Sequence, residues 1–437
     1  MAMHSGKTTA EKLAEKNGIT FYRINSDKFK TSRADVFFVD NLSKERASGN
    51  AILPLIMKRG CKSYPTVKEL ESKLEELYGA DINASVTKKG ELQFIGFHMS
   101  HISDRYTNGE RLFDQCSDLL MCMLENPLIE DGGFKESLFR QERDNMVDYI
   151  RSKVNDKMRF SLTRCIEEMC ADEPFSISED GTEEDVLLLD PKNTLAIYEE
   201  MVKTYPAYVY ISGEVDDKSI QRFIDGFLSS VDRQNIRKIN QTNVYKEVRE
   251  VKRIDEPMDV SQGKLCMGFR TFVEPTSDEY YSLVVYNGIL GGDPHSKLFR
   301  NVREKASLAY FAQSVIEKYK GLMLIMSGIE AENRSKAEDI ILAQVEAMKK
   351  GDIEKEDIET ALKSLETGMK TMQDSQGAIV DFFLSQHLTE SGEDFDSMIE
   401  KLKAVTLDDV VKVAQKVQLD TIYFLKPDGS RSEEEAV

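Results

Sequence analysis

The sequence predicts an α+β protein made of two homologous halves, and three observations support this fold class. A helix followed by an antiparallel hairpin occurs in each half, the later helices and strands follow in the same order, and a basic, polar stretch separates the halves. The chain has 437 residues, enough for two or more domains of about 100–200 residues each. Apolar residues make up 41% and charged residues 31% of the chain, which is typical of a globular protein and excludes global disorder.

The first half begins its regular pattern with a helix predicted over residues 66–78. Thr66 and Glu69 have the spacing of a capping box, and Gly79 follows the end of the helix. Alternating apolar residues on both sides of a turn at 88–90 then predict a hairpin. The remaining elements of this half are predicted, in order, as a helix at 110–124, a long helix at about 135–156, a helix ending near 204 and a strand at 207–211.

The second half repeats this order. The correspondences are 283–292 with 51–60, 296–310 with the helix ending at Tyr78, the turn at 320–321 with that at Gly90, 336–348 with 110–124, and 410–425 with the helix and strand that end the first half. We therefore predict an N-terminal domain at 1–230, a linker at 231–256, a C-terminal domain at 257–428 and an acidic tail at 429–437. Residues 233–253 carry seven basic and two acidic residues, which is typical of a solvated strip, with an electrostatic docking strip as the alternative.

Charge, hydropathy and cysteine content exclude several classes of function. The chain has 58 Lys and Arg against 77 Asp and Glu, a net charge of −19, which disfavours nucleic acid and anionic membrane surfaces as partners. No apolar run reaches the roughly 20 residues that span a bilayer, and the N-terminus lacks the apolar core of a signal peptide. The six Cys form no C-x-x-C pair, which fits free thiols in a reducing compartment. We expect a cytoplasmic protein.

Histidine is scarce, and this limits transition-metal chemistry. The chain has five His and contains neither an H-x-x-E-H nor an H-E-x-x-H motif. His98 and His101 are three residues apart at the end of a predicted strand, where such residues face opposite sides of a sheet. We therefore expect no metal site in this chain.

Four short stretches are distinctive: GCKSYPT at 60–66, LYGA at 77–80, LGG at 290–292 and VREKASLAY at 302–310. Together they resemble the pitrilysin/insulinase family of zinc metallopeptidases, the inverzincins, over nearly the whole chain. The resemblance is closest to the short bacterial members that consist of two homologous α+β domains. It implies that each domain is a mixed or antiparallel sheet packed with helices, and that the two domains face each other across a cleft.

In that family the first domain carries the zinc motif H-x-x-E-H on a helix, with a third ligand on a later helix. The five motif positions fall here on Ala51, Ile52, Leu53, Pro54 and Leu55. None of these side chains can coordinate zinc or act as a general base. The region of the third ligand corresponds to residues 138–148, where Glu142 is expected to be an exposed helix carboxylate.

The second-half motif of the family is intact. The resemblance implies that Arg303 and Tyr310 bind substrate, with a cation and a phenol that hydrogen-bond the peptide carbonyl and its developing oxyanion. The alternative is structural: Arg303 pairs with Glu304 or another carboxylate, and Tyr310 packs at the start of a strand.

The leading interpretation is a non-catalytic partner subunit of a heterodimeric peptidase, which binds peptides or unfolded segments by strand addition while an H-x-x-E-H homologue supplies the zinc. On this interpretation the chain has no catalytic residue and no cofactor of its own. One alternative is a stand-alone pseudoenzyme, monomeric or self-dimeric, that binds peptide or protein between its halves. Another is an independent peptidase with an unrecognised site, for which Cys61 would be a nucleophile lacking a nearby His base.

Overall fold

The structure, a computed structural model, describes residues 8–428, which form two compact units. The first unit contains the chain up to Arg151, Ile177–Gln241 and Gln373–Leu388, and the second contains Ser152–Ser176, Thr242–Met372 and the chain from Thr389 onward. This division departs from the contiguous ranges expected from the sequence, because 152–176 and 373–388 each belong to the unit whose sheet they contact. The predicted acidic tail at 429–437 lies outside the described residues.

The first unit is built on a six-stranded mixed sheet and a small separate hairpin. The strands are β1 (Ala10–Lys16), β2 (Ile19–Ile24), β3 (Thr31–Asn41), β4 (Asp81–Lys89), β5 (Leu92–Ile102) and β8 (Ala207–Ser212), with β6 (Ile129–Glu130) and β7 (Gly133–Phe134) in the hairpin. The sheet order is β1-β2-β8-β3-β5-β4, in which only β2 and β8 are parallel neighbours. The predicted hairpin is confirmed as β4 and β5, with its turn at Gly90 in the left-handed region.

In the described part of the chain, eight helices belong to the first unit. They are α1 (Lys44–Met57), α2 (Val67–Glu76), α3 (Leu112–Glu125), α4 (Glu136–Ser152), α6 (Glu183–Leu187), α7 (Pro191–Thr204), α8 (Asp217–Ser230) and α12 (Gln376–Leu388), with a 3₁₀ turn at Asp104–Tyr106. The predicted capping box is present, since Thr66 and Glu69 each accept from the other's backbone N–H at the start of α2. The apolar faces of these helices and of the sheet form one core, while α12 packs on β8.

The second unit repeats this plan with a five-stranded sheet. Its strands are β9 (Lys252–Met258), β10 (Gly263–Arg270), β11 (Ala309–Glu317), β12 (Leu322–Ile329) and β13 (Gln418–Pro427), in the order β11-β12-β10-β13-β9. Its helices are α5 (Lys157–Met169), α9 (Glu279–Asn287), α10 (Arg334–Lys349), α11 (Lys355–Met372), α13 (Phe395–Ala404) and α14 (Leu407–Lys416). Shorter helical segments are π-helical at Gly288–Gly292 and Phe299–Lys305 and 3₁₀ at Lys153–Asn155, Pro174–Ser176 and Ala331–Asn333.

The internal repeat predicted from the sequence is present in both sheets. Strands β4, β5, β3, β8 and β2 correspond to β11, β12, β10, β13 and β9, and the parallel pair β2–β8 corresponds to the parallel pair β9–β13. The segment expected to match the helix ending at Tyr78 is shorter than predicted. It ends at Lys305, because Ser307 takes a positive φ of 52° and sheet pairing begins at Ala309, so that Tyr310 lies on a strand.

Helix α5 covers one face of the second sheet and is held there by apolar and ionic contacts. Cys165 and Met169 pack with Cys266 of β10 in a buried cluster. At the end of this segment, Glu173 pairs with Arg270 at 2.6 Å and with Lys320 at 2.8 Å. Arg270 is fully buried, so this ion pair fixes the segment to the sheet.

The predicted linker has no regular structure up to the start of β9, but its basic residues are not simply solvated. Arg233 is buried, and its guanidinium donates to the backbone oxygens of Val202 and Tyr205. Arg237 pairs with Asp40 at 2.8 Å. The expectation of a solvated strip is therefore wrong for these two residues, since both help to close the core of the first unit. Among residues 8–428, no helix has the length and hydropathy needed to cross a bilayer.

Candidate functional site

The five positions aligned with the zinc motif lie in the last two turns of α1. Ala51, Ile52, Leu53 and Pro54 are buried, and Leu55 is partly buried against the core. The helix continues past Pro54, whose carbonyl accepts from the N–H of Lys58 at 3.2 Å. The side chains at these positions are therefore core residues, and they offer no atom that could bind a metal ion or a proton.

Glu142 differs from its expected environment. The sequence predicts an exposed carboxylate, but the Glu142 side chain is only 3% exposed on α4. Its Oε1 forms an ion pair with Arg59, two residues after the end of α1, with Nε at 2.6 Å, and it accepts a hydrogen bond from the amide of Asn145 at 3.3 Å. The prediction was wrong because helix periodicity does not show that α4 turns this residue toward Arg59. A buried ion pair thus connects the degenerate motif region with the helix that corresponds to the third ligand.

Cys61 follows this motif region and does not have the environment of a nucleophile. Its side chain is fully buried, and its backbone closes a turn with Tyr64, whose carbonyl accepts from the Cys61 N–H at 3.0 Å. Burial, and then the neighbouring thiol of Cys122, raise the pKa of Cys61 to about 12. A thiol with this pKa is protonated at neutral pH, which disfavours the cysteine-peptidase alternative.

The histidines between residues 8 and 428 do not converge. His98 and His101 point to opposite faces of the first sheet, as predicted: His98 bonds to Asp35, whereas His101 is buried beside Phe113. Burial lowers the pKa of His101. Between residues 8 and 428, no three His, Cys, Asp or Glu side chains lie close enough together to hold a metal ion.

Arg303 and Tyr310, the predicted substrate-binding pair, lie side by side in the second unit. Arg303 is exposed near the end of the π-helical segment, and Tyr310 is 78% exposed near the start of β11. The Arg303 Cζ atom lies 5.5 Å from the centre of the Tyr310 ring and 4.5 Å from that of Phe299. No carboxylate among the described residues forms an ion pair with Arg303. The Tyr310 side chain is exposed and is not packed against the core at the start of β11.

The strand that carries Tyr310 is an edge strand. β11 pairs only with β12, and the pairing shifts between Ala309 and Ala312, which places an irregularity at Tyr310. Bulges of this kind re-aim side chains and are common beside functional sites. The sequence did not lead us to predict a role for Phe299, whose ring lies under the Arg303 guanidinium. The spacing could have indicated it, because an aromatic residue and a cation four residues apart on a helix are neighbours.

Comparison with known proteins gives matches that extend over both units. The family described as Peptidase M16 inactive domain matches residues 190–365. A Bacillus subtilis (strain 168) protein named probable inactive metalloprotease YmfF is 34% identical over 417 residues, which cover 95% of this chain and 97% of that protein. The uncharacterized zinc protease YmxG of the same organism is 23% identical over 257 residues, which cover 56% of this chain and 61% of that protein. The crystal structure of a conserved protein from Enterococcus faecalis V583 superposes with a TM-score of 0.90 at 26% identity, covering 96% of this chain and 99% of that one.

Proposed function

The chain belongs to the peptidase M16 family, and from this premise we propose that it is the non-catalytic, substrate-binding subunit of a heterodimeric zinc peptidase. A homologous chain with an intact H-x-x-E-H motif would supply the zinc and the general base. The observation that carries this proposal is the exposed pair of Arg303 and Tyr310, in a chain whose zinc-motif positions hold core residues.

The chemistry of the pair fits a peptide carbonyl. A guanidinium offers several N–H donors in a fixed geometry, and a phenol offers one O–H donor. Stacking on Phe299 fixes the orientation of Arg303, and the exposed positions leave both donors free to face a ligand. Donors that are oriented in advance stabilise the negative charge that develops on a carbonyl oxygen when it is attacked.

The peptide itself is proposed to bind as an added strand. Edge strands present unpaired N–H and C=O groups that an extended peptide can satisfy, with side-chain pockets adding specificity. Among residues 8–428 the edge strands are β1 and β4 in the first unit and β9 and β11 in the second, and β11 carries Tyr310. Unfolded segments and short peptides are therefore the proposed substrates, since most strands of a folded chain already pair with strands of their own sheet.

A reducing, cytoplasmic location is part of the proposal. Six cysteines are free, and five of them are buried. Buried, unpaired thiols are usual in proteins that fold in a reducing compartment.

The test is reconstitution with an H-x-x-E-H homologue from the same organism. We expect the purified chain to bind no stoichiometric zinc and to cleave no quenched-fluorescence peptide, and the mixture to show peptidase activity that EDTA removes. Size-exclusion chromatography with light scattering should show a complex of the two chains. One zinc per chain in the isolated protein, or EDTA-sensitive cleavage by this chain alone, would contradict the proposal.

The same experiment separates the partner subunit from a stand-alone peptide-binding protein. If peptide binds to the isolated chain and no H-x-x-E-H homologue of the organism forms a complex with it or gains activity, the heterodimer is excluded and the stand-alone interpretation takes its place.

A further inference from the structure

A serine, a histidine and an aspartate form a hydrogen-bonded series on one face of the first sheet. Ser85 Oγ lies 2.8 Å from His98 Nε2, and His98 Nδ1 lies 2.6 Å from Asp35 Oδ1. The three residues come from three adjacent strands, β4, β5 and β3. Serine hydrolases activate their nucleophile by this arrangement, in which one imidazole nitrogen is hydrogen-bonded to a hydroxyl and the other to a carboxylate.

The strand register places these side chains together. Asp35 is the cross-strand partner of His98, and Ser85 is the partner of Gly96, two residues from His98 on the same face. Residues at spacing two share a face of a strand, so all three side chains rise on the same side of the sheet. The sequence shows the three residue types but not the register, which depends on the order β3-β5-β4.

The aspartate is held so that it orients the imidazole. Asp35 is fully buried, and Arg33 binds its carboxylate through Nε and Nη2 at 2.6 to 2.8 Å. Since a carboxylate only accepts hydrogen bonds, Nδ1 of His98 donates to Asp35. In the neutral imidazole Nε2 is then the acceptor for the Ser85 hydroxyl, which is the tautomer that a general base requires.

The serine and the histidine are accessible from outside the core. The His98 side chain keeps 18% of its surface exposed, Ser85 is partly exposed, and β4 is an edge strand of the sheet. Gly96 keeps the space beside the Ser85–His98 hydrogen bond open. A Cβ atom at position 96 would lie 2.9 Å from His98 Nε2 and 3.0 Å from Ser85 Oγ.

We propose that Ser85, His98 and Asp35 form a second, metal-independent site that hydrolyses carboxylic esters, with Ser85 as the nucleophile. The Ser85 proton passes to His98 Nε2 while Oγ bonds to the acyl carbon, and the ester C–O bond then breaks as the alcohol takes that proton. Water next gives a proton to His98 and bonds to the acyl carbon, and the C–Oγ bond breaks as Ser85 recovers its proton. The products are one alcohol and one carboxylic acid.

The donor available for the oxyanion limits the substrate class to esters. Asn83 lies directly opposite His98 on the exposed side of β4, and its amide donates one N–H to Asp81 at 2.6 Å, which leaves the other for a ligand. Amide substrates have poorer leaving groups and rely on several oriented donors, whereas esters need less stabilisation. Phe37, whose ring meets that of His98 at 5.4 Å, provides apolar surface for a small acyl group.

The test uses the full chain with two probes, a fluorophosphonate and p-nitrophenyl acetate. The fluorophosphonate should form a bond from Ser85 Oγ to phosphorus with loss of HF, and peptide mass spectrometry should locate the adduct at Ser85. Ser85→Ala should abolish this label and lower ester turnover at least roughly 100-fold, and His98→Gln should slow labelling by a similar factor. EDTA should change neither rate.

Ser100→Ala is the matched control, because Ser100 lies on the same face of β5, two residues from His98, and is likewise partly exposed. It should label and turn over like the unchanged chain. Thermal unfolding checks that each variant is folded. If Ser85→Ala does not fold, the His98→Gln variant still tests the proposal. A folded chain that shows no adduct at Ser85, or equal turnover by Ser85→Ala or His98→Gln and the unchanged chain, would overturn the proposal.

Discussion

The Arg59 guanidinium lies 2.6 Å from the Glu142 carboxylate, and both groups lie next to the degenerate motif of the first unit. Glu142 is on α4, the helix where the family resemblance places the third zinc ligand of active relatives. Arg59 follows α1, the helix that carries the positions of the zinc motif. A buried carboxylate requires a compensating positive charge. In this chain the Arg59 guanidinium supplies that charge.

Removing Arg59 should therefore destabilise the fold more than removing its partner. Arg59→Met leaves the Glu142 carboxylate buried without a cation, and we expect the free energy of unfolding to fall by about 3–5 kcal/mol. Glu142→Gln should cost less, because Arg59 is 26% exposed and water can solvate it. Adding Glu142→Leu to Arg59→Met should recover much of the loss. Urea denaturation of the four proteins measures this, and a loss below about 0.5 kcal/mol for Arg59→Met would show that the pair is not stabilising.

Arg303 and Tyr310 should affect activity and leave stability unchanged. In the reconstituted peptidase, Arg303→Ala or Tyr310→Phe should lower kcat by the order of 100-fold, because each removes a donor to the developing oxyanion. Both residues are exposed, so melting temperatures should not move. Lys305→Ala, an exposed change two residues from Arg303, is the control and should keep full activity. Equal kcat values for Arg303→Ala and Lys305→Ala would contradict the assigned role.

The sequence predicted the fold class and the internal repeat, because both depend on periodicity and on the order of elements. The capping box at Thr66 and the hairpin turn at Gly90 are local signals, and both are confirmed. Contacts between distant segments were not readable. Glu142 was predicted to be exposed, since no pattern on α4 identifies Arg59 as its partner, and the burial of Arg233 depends on backbone oxygens that only the folded chain brings together.

The series of Ser85, His98 and Asp35 shows the same limit at a site. Each residue is visible in the sequence, but Ser85 and His98 converge with Asp35 only through the register of three strands. The sequence predicts Arg303 and Tyr310 as a pair for a different reason, since both belong to one continuous motif. Motifs that are local in sequence can be predicted, and sites assembled across a sheet require the structure.

The pairing of Glu173 with Arg270 and Lys320 should make the second unit sensitive to acid. Burial acts to raise the pKa of Glu173, but its bonds to Arg270 and Lys320 prevail and lower it from 4.5 to about 2. A carboxylate with a depressed folded pKa contributes stability above its unfolded pKa, and this contribution is lost as the pH falls from about 4.5 through about 2. Glu173→Gln should be less stable at pH 7 and should lose less stability over that range. Denaturation at stepped pH values measures both effects, and parallel pH curves for the two proteins would contradict the assignment.

His387 should produce a second pH dependence, at milder acidity, in the first unit. Its ring stacks on Tyr22 with centroids 3.8 Å apart, and its Nδ1 lies 2.7 Å from the hydroxyl of Tyr210. Burial raises the pKa of Tyr210 well above its ordinary value, so this phenol keeps its proton, and the tautomer of the neutral imidazole sets which of the two groups donates the hydrogen bond. Burial, with a smaller effect of Lys12, lowers the pKa of His387 from 6.5 to about 4.

Because the folded pKa of His387 is below the unfolded one, the unfolded chain takes up a proton first as the pH falls. Stability should therefore be constant with respect to this group above about pH 6.5 and should decrease from there toward pH 4. His387→Phe keeps the stacking on Tyr22 and cannot titrate, so it should be less stable at pH 7, where it lacks the bond to Tyr210, and should lose less stability between pH 6.5 and 4. Thermal unfolding at half-unit pH steps measures this slope. An unchanged slope in His387→Phe would show that His387 is not the group that titrates in this range.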